Sequence, residues 1–285
     1  MVLVLACLLW GCSGEAEPNE TTAPEMQATE TVAPTTEPVI ETEPPTEPVG
    51  DRAREMIRSG DYQGALDLLE SEEGNEETEF LQLRAELGEI EVGGQIMLGS
   101  YEQDGDMENG PEEIAWIVLA KEDNRAFLLS LYCLDTRPYH DVIDGAVTWA
   151  ESPMRTWLNE DFCSSAFTEV EQRLLAETEL VTPDNPMYHT PGGENTVDRV
   201  FLLSLEEVET YLTKEQCLGQ VTQYAIKKGC YYNASFNGWW WLRSSGTQRR
   251  DACYVDAMGK ASLYGYVVHR PGWSVRPAMW IDLEV

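Results

Sequence analysis

An abrupt change of composition near residue 50 limits which part of this chain can form a hydrophobic core. From Glu15 to Glu47 every ionisable side chain is a glutamate, no aromatic residue occurs, and threonine and proline fill the spaces between. Such a segment cannot bury enough apolar area to offset the entropy that is lost on folding. Residues 13–50 are therefore predicted to form a disordered stalk, and the core must come from the residues that follow.

The net charge of the protein excludes some classes of binding partner. The chain of 285 residues has a formal charge of -32 at pH 7. A phosphate backbone would be repelled, and the sequence has no basic stripe to neutralise one, so no nucleic-acid partner is predicted. Docking on anionic lipid headgroups is disfavoured for the same reason. The charge is interpreted as a source of solubility and of self-repulsion in the stalk, in preference to a specific cation-binding role.

The first twelve residues form an apolar segment that ends at a cysteine. Residues 2–10 are too few to span a bilayer, and they lead directly into Gly11 and Cys12. This pattern is typical of the apolar region of a secretory signal, and residues 9–12 resemble the lipobox of bacterial lipoproteins. The resemblance implies a lipid on Cys12 and display on the extracellular face of the cell membrane, with the lipid as the contact to the membrane. Secretion after cleavage is the alternative.

Residues 51–88 are predicted to form a small helical hairpin. Apolar residues recur at three- and four-residue spacing, and a break falls at Ser59-Gly60-Asp61. Residues 58–66 resemble the turn of a tetratricopeptide repeat. Only about one repeat is present, however, and such repeats need neighbours to bury their faces. A spacer packed on the next domain is therefore favoured over a peptide-binding array.

Residues 89–285 are predicted to form the main domain. Apolar runs bounded by Gly, Asn or Asp predict strands over 95–101, 114–120, 125–133 and 199–203. Capping signals predict helices that begin after Ser152, Thr168, Ser204 and Thr222. Helices in the middle and strands at both ends favour an α+β fold with antiparallel strands over a regular βαβ alternation.

Several motifs between residues 93 and 281 resemble a domain of unknown function, DUF6273, that is common in lipoproteins of gut-type Gram-positive bacteria. The most distinctive are WWLRSSG at 240–246, YVDAMG at 254–259 and GWSVRPAMW at 272–280. The C-terminal part is also similar to the end of C-type-lectin-like domains, including the formylglycine-generating-enzyme type. These resemblances imply a C-type-lectin-like fold and do not name a ligand.

The three adjacent tryptophans are candidates for ligand contact. Residues in a strand point alternately to opposite faces, so Trp240 is predicted to point away from Trp239 and Trp241. Either all three rings are packed in the core, or one lines a binding surface, where an aromatic face suits a sugar ring or a cation.

Arginines near these tryptophans make the C-terminal region locally basic. Arg243 and Arg276 each interrupt an apolar strand motif, where a guanidinium can reach a carboxylate or a carbonyl. A structural ion pair is favoured for Arg276. The local charge favours an anionic or carbonyl-bearing ligand, although a solvated loop has the same composition. The candidate ligand-binding residues are Trp239, Trp241, Arg243, Arg249, Arg250 and Arg276.

The sequence contains no convincing metal-binding or catalytic motif. Residues 104–110 have the composition of a calcium loop, but Ala115 stands where the glutamate ligand belongs, so a polar hairpin turn is favoured. The three histidines lack metal-binding spacing. No nucleophile elbow, phosphate-binding loop or dinucleotide fingerprint occurs, and no metal or cofactor is predicted. Five cysteines after the stalk are interpreted mainly as small buried apolar residues: Cys133, Cys163, Cys217, Cys230 and Cys253.

The sequence thus favours a non-catalytic surface module whose loops near residues 241–250 bind a carbohydrate, a peptide or a wall fragment. One alternative is an enzyme with a site built from Arg243, Tyr254, Asp256 and His269. Another is a structural partner of envelope proteins. If Arg243 and Arg276 end in a shared open pocket, binding or catalysis is favoured, whereas buried carboxylate pairs favour a scaffold.

Overall fold

A computed structural model describes residues 47–141 and 145–284. The predicted signal segment 1–12, its lipidation residue Cys12 and the stalk as far as residue 46 lie outside the described residues. None of the helices in the described ranges is long and apolar enough to cross a membrane.

Three helices occupy the predicted helical segment: α1 (Val49–Ser59), α2 (Tyr62–Leu69) and α3 (Glu76–Glu89). Helix α1 begins two residues before the predicted bound, within the predicted stalk. Helix α1 ends at Gly60, whose φ of 81° is a left-handed conformation that glycine adopts without strain. The side chains of Asp61 and Asn75 accept backbone N–H groups at the first turns of α2 and α3. Lys121 donates to the Gly88 carbonyl at 2.6 Å and so joins α3 to the following sheet.

The rest of the described chain alternates short strands with short helices. In chain order these are β1 (Gln95–Tyr101), β2 (Glu112–Glu122), β3 (Arg125–Ser130), β4 (Asp135–Thr136), α4 (Pro153–Trp157), α5 (Cys163–Ala166), α6 (Glu169–Gln172), β5 (Thr178–Leu180), β6 (Thr196–Asp198), α7 (Leu205–Tyr211), α8 (Gln223–Lys227), β7 (Trp240–Ser245), β8 (Asp251–Val255), β9 (Ala261–Val267), β10 (Ser274–Val275) and β11 (Ala278–Asp282). A 3-10 turn (Trp149–Glu151) precedes α4, and a π-helical turn (Leu158–Phe162) follows it.

The strands form three sheets. One sheet has four strands in the order β1-β2-β3-β11, the second has five in the order β4-β10-β7-β8-β9, and the third pairs β5 with β6. All of these pairings are antiparallel except that of β10 with β7. The predicted α+β class, with antiparallel strands and a few helices, is confirmed.

The predicted helix starts are confirmed at all four capping residues. Ser152 accepts the N–H of Arg155 with Pro153 at the first helical position. Thr168 and Ser204 each form a complete capping box, the latter with Glu207. Thr222 caps α8.

The predicted strand over 199–203 is wrong. Only one isolated bridge, between Phe201 and Ala278, occurs there. Side chains take the place of a neighbouring strand. The side-chain oxygen of Asn159 accepts the N–H of Arg199 at 2.8 Å, and its side-chain nitrogen donates to the carbonyl of Val200 at 2.9 Å. The Arg243 guanidinium likewise donates a hydrogen bond to the carbonyl of Leu202. The backbone groups of this segment therefore have hydrogen-bond partners without the ladder of a neighbouring strand.

The five cysteines of the folded part are free and buried. Burial raises the pKa of the Cys133 and Cys253 thiols to about 12 and that of Cys230 to about 11. At neutral pH these three groups are therefore protonated, unreactive thiols, in agreement with their interpretation as apolar packing residues.

Candidate functional site

An exposed aromatic cluster forms where β7, β8 and β9 lie beside the turn before β10. The indole of Trp273 is its centre. Trp241 stacks on one side of this ring with centroids 5.3 Å apart and planes at 24°, and Tyr266 stacks on it at 4.3 Å and 22°. Tyr231 and Tyr254 meet the same ring edge-on at 5.6 and 5.8 Å. We refer to Tyr231, Tyr254, Tyr266 and Trp273 as the aromatic cluster.

Exposure differs across the aromatic cluster. Trp241 is fully buried and Trp273 is 7% exposed, whereas Tyr266 and Tyr231 are 40% and 53% exposed. The stack of Trp241, Trp273 and Tyr266 therefore begins in the core and ends at the surface. Such a ring, supported from below, offers an apolar face to solvent at a fixed position.

The strand register explains why these rings meet. Trp241 is paired with Tyr254 across β7 and β8, and Tyr266 is paired with Ala252 across β8 and β9. Trp273 enters from a turn in which Gly272 has a φ of 98°. The carbonyl of Gly272 accepts the N–H of Tyr231 at 2.7 Å, which brings that ring beside Trp273.

Buried polar atoms lie in and next to the cluster. Among the described residues, the indole Nε1 of Trp273 is buried without a hydrogen-bond partner, and the buried hydroxyl of Ser274 has the Cys230 thiol as its neighbour. Buried donors in proteins are nearly always paired, so each such atom calls for an explanation, for instance a bound water or a ligand. Arg270, in the same turn, is exposed.

Neither of the predicted candidates Trp239 and Trp241 has an exposed ring. Trp239 is half-buried and packs against the core, while Trp241 is buried and donates its indole N–H to the Arg137 carbonyl at 3.0 Å. Trp241 thus supports the aromatic cluster from below instead of contacting a ligand directly. Sequence reasoning missed Tyr231, Tyr266 and Trp273, although two tyrosines spaced for one face of a strand, in Tyr264-Gly265-Tyr266, were a signal.

Arg243 and Arg276, also predicted to contact a ligand, are buried instead. Arg243 is 3% exposed and forms a two-pronged ion pair with Glu207, with one distance of 2.8 Å. Arg276 is 2% exposed, and its guanidinium donates to the carbonyls of Ser130 (3.0 Å), Gln216 (2.6 Å) and Leu131 (3.3 Å).

The two arginines do not share a pocket. Arg276 borders a cavity of about 390 Å³ that Arg243 does not line. The predicted ion pair of Arg276 is replaced, among the described residues, by hydrogen bonds to backbone carbonyls, because two segments converge on it: the end of β3 with Ser130 and Leu131, and the loop after α7 with Gln216. Both side chains satisfy groups of the protein and so have a structural role. By the criterion set from the sequence, the buried pair of Arg243 with Glu207 favours a scaffold role for this arginine, so a binding surface must be sought in other residues.

Arg249 and Arg250 are exposed in the turn between β7 and β8. The Arg249 carbonyl accepts the N–H of Val147, and the Arg250 carbonyl accepts the N–H of Val268. The turn therefore lies beside the segment after β9 that carries Arg270. Both arginines are exposed, as a ligand contact requires, and Arg250 lies near enough to the Asp251 carboxylate to act on its charge.

The four residues of the enzyme hypothesis do not converge. His269 follows the end of β9 that pairs with Asp251, whereas Asp256 follows the opposite end of β8. Asp256 uses one carboxylate oxygen to accept the N–H groups of Met258 and Lys260 in a turn. Tyr254 belongs to the aromatic cluster, and Arg243 is paired with Glu207.

Three carboxylates meet at the turn between β1 and β2. Glu102, Asp104 and Glu112 bring oxygen atoms within 4.8 Å of one another. Each of them accepts backbone N–H groups, for example Gly105 to Glu102 at 2.5 Å and Gln103 to Glu112 at 2.7 Å. The N–H of Asp106 in particular, together with the Asn109 amide, lowers the pKa of Asp104. Through these hydrogen bonds the three carboxylates stabilise the predicted polar turn.

The fold and the site define a mixed α+β domain with a supported aromatic surface. The model of a family described as a domain of unknown function, DUF6273, matches residues 123–283, and the protein belongs to this family. The match begins at the turn before β3 and ends after β11. No curated protein matches the chain. No solved structure matches it either.

Proposed function

We propose that the main domain is a non-catalytic carbohydrate-binding module. The observation that carries the proposal is the stack of Trp241, Trp273 and Tyr266, which leaves Tyr266 and its neighbour Tyr231 exposed. A sugar ring has an apolar face of C–H groups, and an exposed aromatic ring that cannot move away is a suitable surface for it. Ordering such a rigid ring costs little conformational entropy on binding.

Polar groups beside the aromatic cluster supply the donors that a sugar also needs. The exposed Arg270 lies in the turn that carries Trp273. The exposed Arg249 and Arg250 are candidates for contact with a carboxylate on an acidic sugar or a wall fragment. The resemblance of the C-terminal part to lectin-like domains supports the same class of ligand, and a peptide ligand is the alternative.

The test is binding to an array of neutral glycans, mucin oligosaccharides and peptidoglycan fragments. Tyr266→Ala and Tyr231→Ala are each expected to weaken saturable binding about tenfold, since each removes a stacking partner. Tyr264→Ala is the matched control, because Tyr264 lies on the same strand, is 62% exposed and contacts Tyr188 instead of Trp273. A folded protein that binds nothing on the array, or binds equally well in all three variants, contradicts the proposal.

We further propose that Cys12 carries a lipid that anchors the module to the extracellular face of the membrane. The lipobox-like residues 9–12 and the acidic, self-repelling stalk support this arrangement, since an extended stalk holds the domain away from the membrane. Expression in a Gram-positive host is expected to place the protein in the membrane fraction. Cys12→Ser is expected to prevent lipidation, and Cys7→Ser serves as the control. Membrane retention without a lipid on Cys12 contradicts the anchor.

A further inference from the structure

A cavity of about 640 Å³ opens between α7, residues 183–186 and β9. Its walls are largely apolar, and they include Pro183, Pro186, Leu205, Val208, Leu212 and Leu263. The volume lies within the range of about 300–1,000 Å³ that is usual for small-molecule sites. Leu205, Leu212 and Leu263 are only half-buried, so apolar area remains uncovered at this place.

Hydrogen bonds hold the walls of the cavity in position. The buried Asn185 amide donates to the carbonyls of Ser245 at 2.7 Å and Leu263 at 2.9 Å, which ties the 183–186 segment to β7 and β9. Its carbonyl oxygen accepts the N–H groups of Met187 and Tyr188, both at 3.0 Å. On the other wall, the N–H of Leu205 donates to the Ser244 hydroxyl at 3.0 Å. A cavity bounded in this way is preformed, so little ordering cost opposes binding.

The charged side chains of the lining are mainly acidic. Asp184, Glu206 and Glu209 contribute three carboxylates, against one ammonium group from Lys214, and all four residues are exposed. The protein as a whole carries a charge of -32. An apolar pocket with acidic side chains among its lining attracts a cation and repels an anion.

We propose that this cavity binds a small amphiphilic cation, with the apolar body in the cavity and a protonated amine near Glu206 and Glu209. The apolar body would cover the half-buried leucines, which supplies most of the affinity. The carboxylates would select the charge of the ligand and not its length. This site is separate from the aromatic cluster, since none of the four cluster residues lines the cavity.

The experiment compares three probes that share one alkyl chain: octylammonium, octanol and octanoate. Each is titrated into the full chain and followed by calorimetry and by amide chemical shifts. The expected order of affinity is octylammonium, octanol, octanoate, with steps of about three- to tenfold because exposed carboxylates are partly screened. Raising the salt concentration is expected to reduce the steps.

Two variants separate the roles of charge and shape. Glu206→Gln combined with Glu209→Gln is expected to bring octylammonium to the affinity of octanol, while Glu108→Gln, an exposed glutamate in the β1–β2 turn, leaves it unchanged. Leu212→Trp fills the cavity and is expected to abolish binding of all three probes. If octanoate binds as tightly as octylammonium, the charge preference is overturned. If the shifts fall outside the cavity lining, or no probe binds to the unaltered chain, the site itself is overturned.

Discussion

Replacing Arg276 by methionine is expected to lower the free energy of unfolding by about 4 kcal/mol. The guanidinium donates to three carbonyls, those of Ser130, Leu131 and Gln216, and lies 5.2 Å from the centre of the Trp240 ring. Methionine fills a similar volume but donates no hydrogen bond. The hydrogen bond to Ser130 is buried and the other two are part-buried. A carbonyl left unpaired in the interior costs about 1–3 kcal/mol, and a part-buried one costs less.

Urea unfolding of the variant and the unaltered protein checks this value. Arg270→Met is the control, since Arg270 is exposed and its change is expected to stay within about 0.5 kcal/mol. Burial lowers the pKa of the Arg276 guanidinium, yet arginine stays charged at every pH at which proteins fold. The cost is therefore expected to be the same from pH 6 to pH 9. A stability equal to that of the Arg270 control contradicts the structural role.

Replacing Arg243 by methionine is expected to cost about 3 kcal/mol. Arg243 is paired with Glu207, whose carboxylate also accepts the N–H of Ser204 at 2.7 Å and so caps α7. Removing one partner of a largely buried ion pair leaves the other charge without compensation, which costs about 3–5 kcal/mol when burial is complete. The Glu207 side chain is 19% exposed, which places the expected value at the lower end of that range.

A double-mutant cycle isolates the contribution of the pair. Arg243→Met, Glu207→Gln and the double variant are expected to show a coupling energy of about 1.5–3 kcal/mol in urea unfolding. The exposed pair of Arg199 and Glu177, at 3.4 Å, is the control and is expected to give less than about 0.5 kcal/mol. A coupling energy near zero for Arg243 and Glu207 would mean that the pair does not stabilise the fold.

Local signals were sufficient for many elements of this fold. Strand β1 has the predicted bounds, and the capping residues Ser152, Thr168 and Ser204 start the predicted helices. Each of these features depends on residues within one turn or one strand, so the pattern that predicts it is complete in the local sequence.

The candidate site was predicted in its region but not in its residues. The motifs near Trp241 and Trp273 lie in the part of the chain that forms the aromatic cluster, and Trp240 and Trp241 are both fully buried. Which ring reaches the surface depends on what lies on top of Trp241. The ring of Trp273 covers Trp241, and it comes from the turn before β10. The ring of Tyr266, from β9, covers Trp273 and so reaches the surface.

The sequence by itself determined the acidic composition of residues 15–47, the α+β class, most helix starts and membership of the family. Only the tertiary structure decided that Arg243 and Arg276 are internal, that residues 199–203 are not a strand, and that Tyr266 and Tyr231 are the exposed rings. The physical reason is the distance along the chain between the partners. The hydrogen bond from Arg276 to Ser130 joins residues 146 positions apart, and no local pattern encodes such a contact.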